Sequence, residues 1–394
     1  MHASEAASAG LTDEQREIRD SAAALARTFD ADYWLERDEK GLYPWELVRA
    51  FAARDWLGIA IPEEYGGSGL GVTEGALLLR EVAASGAGLS GAAALHHYVF
   101  PAAPIVKHGS EEMKQANLPL VARGDLLIAF GVTEPNAGTD TSRIETRAVR
   151  QDDGRWLING QKVWLTQGLE AHKVLLLVRT RPRSEEKPFR GLTLFLCDLD
   201  RERVALSRID KLGRAAVDST EAFITDLEAT DADVVGEEGR GFYHILEGLN
   251  AERVVVALEA VGLGEAALRL AVDYARERVV FNRPIGANQS ISHPLADSWA
   301  RLRAAELLTL EAARLHDAGQ PCGEEATAAK YLAADASFTA CDRAVQTHGG
   351  FGYAKEYHVE RLWRESRLYR LAPISQEMAL NHVAQQTLRL PRSY

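Results

Sequence analysis

The stretch that decides the fold is Trp156-Leu157-Ile158-Asn159-Gly160-Gln161-Lys162-Val163-Trp164-Leu165. Two short β-prone runs flank Asn-Gly, and Asn-Gly supplies the two positive-φ positions that a type I′ turn needs. The stretch reads as a hairpin. Further short apolar runs follow at residues 174–178, 192–196 and 222–224, each between turn residues. A small antiparallel β domain from about residue 128 to 235 is the simplest reading.

Working outward, the chain becomes helical on both sides. Thr12 followed by Gln15 has the capping-box spacing. Ile18, Ala22, Leu25 and Phe29 then recur at helical steps. Gly41 to Pro44 breaks the pattern, residues 47–57 resume it, and Ile61-Pro62 with Gly66-Gly67 closes it. Helices are also expected at residues 76–84, 98–108 and 110–122. Beyond the strands, residues 241–280, 295–317 and 324–347 read as long helices and 375–388 as a terminal one. Pro284, Pro294, Gly349, Gly350 and Gly352 punctuate them. Helices, strands, then helices is not the alternation of a parallel α/β sheet. The fold class is therefore α+β multidomain. The expected parts are an N-terminal helical domain (1–127), a central antiparallel β domain (128–238) and a C-terminal helical bundle domain (239–394).

Composition narrows the function. The 394 residues are 46% hydrophobic and 26% charged, as a folded globular chain requires. A net charge of −12 argues against a nucleic-acid binder, which needs a positive stripe, but permits a local basic pocket for a phosphorylated ligand. The 3 cysteines, Cys197, Cys322 and Cys341, form no C-x-x-C pair and read as reduced thiols. Met1 to Gly10 reads as neither a signal nor a transit peptide, and the C-terminus carries no recognised address. No apolar run reaches the roughly 18–20 residues of a spanning helix, so no membrane insertion and a cytoplasmic location are expected. Gly67, Gly69 and Gly71 miss the dinucleotide-binding spacing, and neither a phosphate-binding Gly-Lys loop nor H-E-x-x-H occurs. No metal site is expected: His96 and His97 are adjacent, cannot share a metal from one helix face, and read as helix surface or pocket lining.

Five strings carry chemistry. They are Gly131-Val132-Thr133-Glu134-Pro135-Asn136-Ala137-Gly138-Thr139-Asp140; Lys162-Val163-Trp164-Leu165-Thr166-Gln167-Gly168; Glu277-Arg278-Val279-Val280-Phe281-Asn282-Arg283-Pro284-Ile285 with Asn288-Gln289; Gln346-Thr347-His348-Gly349-Gly350-Phe351-Gly352; and Glu360-Arg361-Leu362-Trp363-Arg364-Glu365. In this order, the chain resembles the acyl-CoA dehydrogenase family from about Leu11 onward. The resemblance implies a C-terminal four-helix bundle, one FAD per subunit and a homotetramer. It also implies α,β-dehydrogenation of an acyl-CoA thioester to the trans-2-enoyl-CoA, within fatty acid or branched-chain acyl-CoA metabolism, with electron-transfer flavoprotein as electron acceptor. An FAD-dependent oxidase or monooxygenase using O2 is the alternative on the same fold, and a non-catalytic subunit is a third.

The resemblance assigns FAD contacts to Phe130, Val132, Thr133, Gly138 and Thr139, to Trp164 and Thr166 beside the flavin ring, and to Ser375. Arg278, Phe281 and Gln289 would hold the pyrophosphate and adenine end, as an Arg fork suits phosphate. Gln346, Gly349 and Gly350 would reach FAD of a neighbouring subunit. Asn282 departs from the glycine that many relatives carry. Thr139, Asn250, Arg253 and Ala372 would meet the substrate.

The family's base is a glutamate that removes the α-proton while hydride leaves the β-carbon. The FAD ribityl 2′-hydroxyl and one backbone N–H polarise the thioester carbonyl. Most relatives place that glutamate after the fifth string, where this chain has Leu371-Ala372-Pro373-Ile374-Ser375. Either Ala372 or Pro373 falls at the base position; Ala372 is preferred because proline has no N–H. A minority of the family, the isovaleryl- and long-chain-type enzymes, carries the base on the first long helix of the bundle, and Leu249-Asn250-Ala251-Glu252-Arg253 matches that pattern. Glu252 is thus the expected base, against the plain reading of a solvated helix carboxylate; Glu377 is the next carboxylate. Leu95-His96-His97-Tyr98-Val99 aligns with a pocket-floor segment, equally readable as a helix interface.

Overall fold

The computed structural model describes residues 10–99 and 101–392. The expectations for residues 1–9 and 393–394 lie outside the described residues. Seven strands form one sheet: β1 (Ile128–Gly131), β2 (Arg147–Arg150), β3 (Trp156–Thr166), β4 (Lys173–Arg179), β5 (Leu192–Asp198), β6 (Val204–Arg208) and β7 (Ser219–Ala229). Their order is β1-β4-β2-β3-β7-β6, with β5 also on β4. The sheet is mostly antiparallel, but β1 and β2 both run parallel to β4. β4 and β5 are buried along almost their whole length, which is why they read as continuous apolar runs rather than alternating ones.

The expected Asn-Gly hairpin is not there. Trp156 to Thr166 is one strand, and the turn lies upstream between β2 and β3, where Gln151 N–H donates to Arg155 O (2.8 Å) and Gly154 takes φ +87. Asn159-Gly160 sits instead at a register shift between β3 and β7. From Ile158 to Gly160 β3 advances two residues while its partners, Leu227 to Ile224, advance three, so the extra residue is on β7. Asn159 clasps that bulge: its Nδ2 donates to Asp226 Oδ1 (2.9 Å), and Asp226 N–H donates to Asn159 Oδ1 (3.0 Å). Asp226 takes φ +49. Side-chain pairing across the sheet replaced the turn that local propensity favours.

The N-terminal helices are α1 (Asp13–Ala26), α2 (Ala31–Lys40), α3 (Trp45–Ala52), α4 (Val72–Val82), α5 (Gly88–Val99), α6 (Ala102–His108) and α7 (Glu111–Ala122). The capping box holds: Gln15 N–H donates to Thr12 Oγ1 (3.1 Å) and Thr12 N–H to Gln15 Oε1 (3.0 Å). The single helix expected over 98–108 is divided, because Pro101 stands between α5 and α6. The C-terminal helices are α8 (Gly241–Glu277), α9 (Gln289–Asp317), α10 (Gly323–His348), α11 (Val359–Tyr369) and α12 (Gln376–His382). α8, α9 and α10 pack on one another, and α11 lies against α8 and α10. α9 starts at Gln289 with Pro294 inside it, six residues before the expected start.

α4 and α8 cross closely enough that a Cβ on Gly262 would stand 2.2 Å from Arg80 O. Beside that crossing the buried Arg80 guanidinium pairs with Glu81, with Glu265 Oε2 (2.7 Å) and with Glu306 Oε1 (2.9 Å). This ties the N-terminal helices to the bundle and sets α5 against α8, where the candidate base lies.

Candidate active site

The first group of expected cofactor residues gathers at the end of β1 and along β3. A second register shift, between Lys162 and Leu165, puts the extra residue on β3. Trp164 is expelled by it, with φ +64 and 54% of its surface exposed. Lys162 points the other way and is fully buried. Its Nζ donates to Glu134 Oε1 (2.8 Å) and to Val132 O (3.0 Å). Glu134 also accepts N–H bonds from Glu145 (2.7 Å) and Thr146 (2.9 Å), and Val163 N–H donates to Thr133 O (2.9 Å). The loop holding Val132, Thr133, Gly138 and Thr139 is thereby pinned beside Trp164 and Thr166. Burial lowers Lys162 to about 8 although Glu134 raises it.

Arg214, which the sequence did not single out, joins this group. It adopts φ +60, donates Nη2 to Thr166 Oγ1 (3.3 Å) and Ser219 Oγ (2.9 Å), and keeps a buried Nε without a partner among the described residues. Trp164 thus presents a large exposed indole on a left-handed backbone, while the Arg214 guanidinium is buried against Thr166 on the same strand.

The second group is separate. β8 (Val279–Val280) and β9 (Arg283–Pro284) form a two-residue hairpin whose central residues, Phe281 and Asn282, take φ +50 and +63. That explains Asn282 in place of glycine, since Asn tolerates this region. Phe281 is 94% exposed. The Arg278 guanidinium lies 5.9 Å from the Phe351 ring centroid, next to Gly349 and Gly350, at both of which a Cβ would meet open space. Gln289 and Gln346 are exposed nearby in sequence. Among the described residues no hydrogen bond or ion pair joins this group to the Trp164 group.

The third cluster lies in the bundle. Glu252 and Glu259 stand two turns apart on one face of α8. His96 of α5 bridges them: Nε2 to Glu252 Oε2 is 2.8 Å and Nδ1 to Glu259 Oε1 is 2.6 Å. All three are buried, with Glu252 9% exposed, Glu259 1% and His96 6%. Burial alone would push the imidazole down, but the two carboxylates hold it well above the ordinary histidine range. Both ring nitrogens donate in that state. Glu252 is therefore no solvated helix carboxylate, and His96 faces a helix interface rather than open surface. His97 points elsewhere: burial, then His96 and Arg214, lower it to about 3, and its Nδ1 contacts Ala93 O (3.1 Å).

Arg253 turns toward α10. Its Nη1 donates to Asn250 Oδ1 (2.8 Å), and its buried Nε has no partner among the described residues. Lys330 of α10, lowered to about 8 by burial and by Arg253, donates to Ile374 O. The loop before α12 is thus tied near Arg253. Ala372 N–H is engaged there with Leu368 O (3.0 Å). Ser375 caps α12, accepting from Met378 N–H (3.2 Å). Glu377 is exposed in the first turn of α12.

Helices, a mixed sheet and a helical bundle in that order define an α–β–α fold, with the buried Glu252 carboxylate next to Arg253 in the bundle. The chain belongs to the acyl-CoA dehydrogenase family. It matches the family's N-terminal domain over residues 12–125, its middle domain over 129–227 and its C-terminal domain over 239–388. "Acyl-CoA dehydrogenase fadE12" of Mycobacterium bovis is 39% identical over 390 residues, covering 97% of this chain and 98% of the relative. Butyryl-CoA dehydrogenase from Megasphaera elsdenii superposes with a TM-score of 0.91 at 33% identity, over 96% of this chain and 99% of that one. A chain reported under "Electron transferring flavoprotein of Acidaminococcus fermentans: Towards a mechanism of flavin-based electron bifurcation" gives 0.91 at 32% identity, over 96% and 99%. The protein is an oxidoreductase acting on acyl-CoA. No described helix is long and apolar enough to cross a membrane.

Proposed function

We propose that the chain catalyses FAD-dependent α,β-dehydrogenation of an acyl-CoA thioester to the trans-2-enoyl-CoA, with Glu252 as the base. The observation that carries the assignment is the buried Glu252 carboxylate beside Arg253, while residues 371–375 hold no carboxylate and Glu377 is exposed. In this reading Glu252 takes the α-proton as the C=C bond forms. FAD, when bound, supplies the acceptor for the β-hydride at N5. Trp164 and Thr166 would flank the ring, with Phe130, Val132, Thr133, Gly138 and Thr139 lining the loop beside it. Arg214 would add a cation there. Thr139, Asn250, Arg253 and Ala372 would bind substrate. Ala372 has to share its N–H with Leu368 O (3.0 Å) if it is to polarise the thioester carbonyl.

The separation of the two cofactor groups supports a homo-oligomer, a tetramer in the family's usual form. The Arg278, Phe281 and Gln289 hairpin and the Gln346, Gly349 and Gly350 turn would then complete a neighbour's FAD site. Electron-transfer flavoprotein is the proposed acceptor, in the cytoplasm; the similar chain reported with that protein's name supports it. Peroxide formation under air, set against dye reduction, separates this reading from an oxidase. The deciding experiment is anaerobic flavin bleaching by short, branched, medium and aromatic acyl-CoAs. Glu252→Gln should retain FAD and bleach at least about 1000-fold more slowly. Near-normal bleaching by Glu252→Gln, with Glu377→Gln inactive, would move the base to α12.

A further inference from the structure

Nothing in a general α-proton abstraction requires the carboxylate to be tethered, yet Glu252 is. We propose that His96, braced by Glu259, is a positioning residue for Glu252, holding it through Oε2 so that proton acceptance falls to Oε1. The inference rests on the assignment of Glu252 as base.

Three observations support it. First, a glutamate side chain has three rotatable bonds, and a base displaced by about 1 Å can cost about 100-fold in rate. The 2.8 Å contact from His96 Nε2 removes that freedom. Second, His96 cannot swing away, because Glu259 Oε1 holds its other nitrogen at 2.6 Å. The charged and titratable groups near the imidazole include the two carboxylates from α8 and His97 on its own helix, and Arg214 and Tyr369 interact with Glu259. Third, α5 itself is anchored at its start. Glu365 of α11 accepts the N–H of Leu89 (2.7 Å) and the hydroxyl of Ser90 (2.6 Å), and Arg361 donates to Ala87 O (3.2 Å). The position of Glu252 is therefore set from three helices, α8, α5 and α11, rather than by its own rotamer preference.

A structural ion triad would show the same contacts, so the test must read chemistry rather than folding. The FAD-loaded protein is mixed anaerobically with butyryl-, isovaleryl-, octanoyl- and 3-phenylpropionyl-CoA, and the fastest reductant is used throughout. Each variant is measured for FAD content, the flavin reduction rate constant, its saturation constant for the acyl-CoA, and the isotope effect with α-deuterated substrate. His96→Gln keeps an N–H donor, His96→Ala removes it, and Glu259→Gln takes the charge from the brace while leaving an amide oxygen as acceptor. Expected are a loss of about 10- to 100-fold in the reduction rate constant for His96→Ala at an unchanged or larger isotope effect. His96→Gln should recover much of that loss, and Glu259→Gln should lose about 3- to 10-fold. Saturation constants should move less than about 3-fold. If His96→Ala does not hold FAD, the other two variants decide, since both keep the buried volume. Wild-type reduction rates in them, with Glu252→Gln inactive, would overturn the positioning role and leave the base reading intact. An active Glu252→Gln would remove the base reading, and the positioning role with it.

Discussion

Lys162 offers the sharpest test of how the loop at residues 131–140 is held. Its ammonium is fully buried and pairs with Glu134 Oε1 (2.8 Å) and Val132 O (3.0 Å). Even with that pair, burial brings Lys162 from 10.5 to about 8, which at about 1.4 kcal/mol per pH unit is on the order of 3 kcal/mol against the charged form. The unfolded chain holds this proton more tightly between pH 8 and 10.5, so stability rises with pH across that window and the full penalty applies at pH 7. Lys162→Met strands the Glu134 carboxylate, which keeps its N–H bonds from Glu145 and Thr146. Stranding one member of a buried pair costs about 3–5 kcal/mol. The expected outcome is a net loss of about 3 kcal/mol for Lys162→Met and a similar loss for Glu134→Gln. The double variant should lose about as much as either single one, a coupling of about 3 kcal/mol. Urea unfolding at pH 7 measures the stability, and flavin release on heating reports the loop. Additive losses, or a Lys162→Met variant within about 1 kcal/mol of wild type that releases flavin normally, would refute the clamp.

Two further outcomes follow from the geometry. His97 is lowered from 6.5 to about 3, so unfolding takes up one more proton between those values; the group costs nothing above pH 6.5, where it is neutral in both states, and destabilises the fold as pH drops toward 3, by about 1.4 kcal/mol per pH unit. His97→Gln should lose that acid slope in urea midpoints measured from pH 7 to 4, whereas His96, held above its ordinary value, contributes with the opposite sign and fades as pH rises. A Cβ on Gly160, at φ +151, would stand 2.5 Å from Thr146 Oγ1 and 2.7 Å from Thr146 Cα, while Gly154, at φ +87, has open space. Gly160→Ala should cost about 2–4 kcal/mol and Gly154→Ala about 1, read from thermal midpoints; equal costs would mean the sheet gives way at Gly160.

The helix–strand–helix order was legible because the long bundle helices carry extended propensity and the strands lie between turn residues. α5 was not, because every residue from Gly88 to His96 is buried. A helix covered all round has no polar face and no period to read. α2 failed for the opposite reason, since Ala31 to Lys40 is mostly polar and only Trp34 and Arg37 are buried. The proposed base, Glu252, was singled out by its neighbour Arg253 and by the missing carboxylate near Ala372. Its partner was not, because His96 lies 156 residues away and the contact exists only where α5 meets α8. Lys162 was quoted within a string but given no role, since a lysine that ends up wholly buried looks in sequence like any solvated one. Asn159-Gly160 misled because the turn signal is local and the clasp to Asp226 is not.

The two irregularities in β3 have opposite senses. The first adds a residue to β7 and the second adds one to β3, so Thr166 faces Ser219 in the same phase as Trp156 faces Ala229. They behave like a pair of compensating frameshifts. Between them the inside–outside parity is offset, and beyond them it is restored. A variant that irons out only one bulge would slide one end of the strand by a residue. That would turn Leu165 outward and Thr166 inward and would carry Trp164 off its present face. The two bulges should therefore be inherited or lost together, and the position of a single exposed indole depends on a clasp several residues away on another strand.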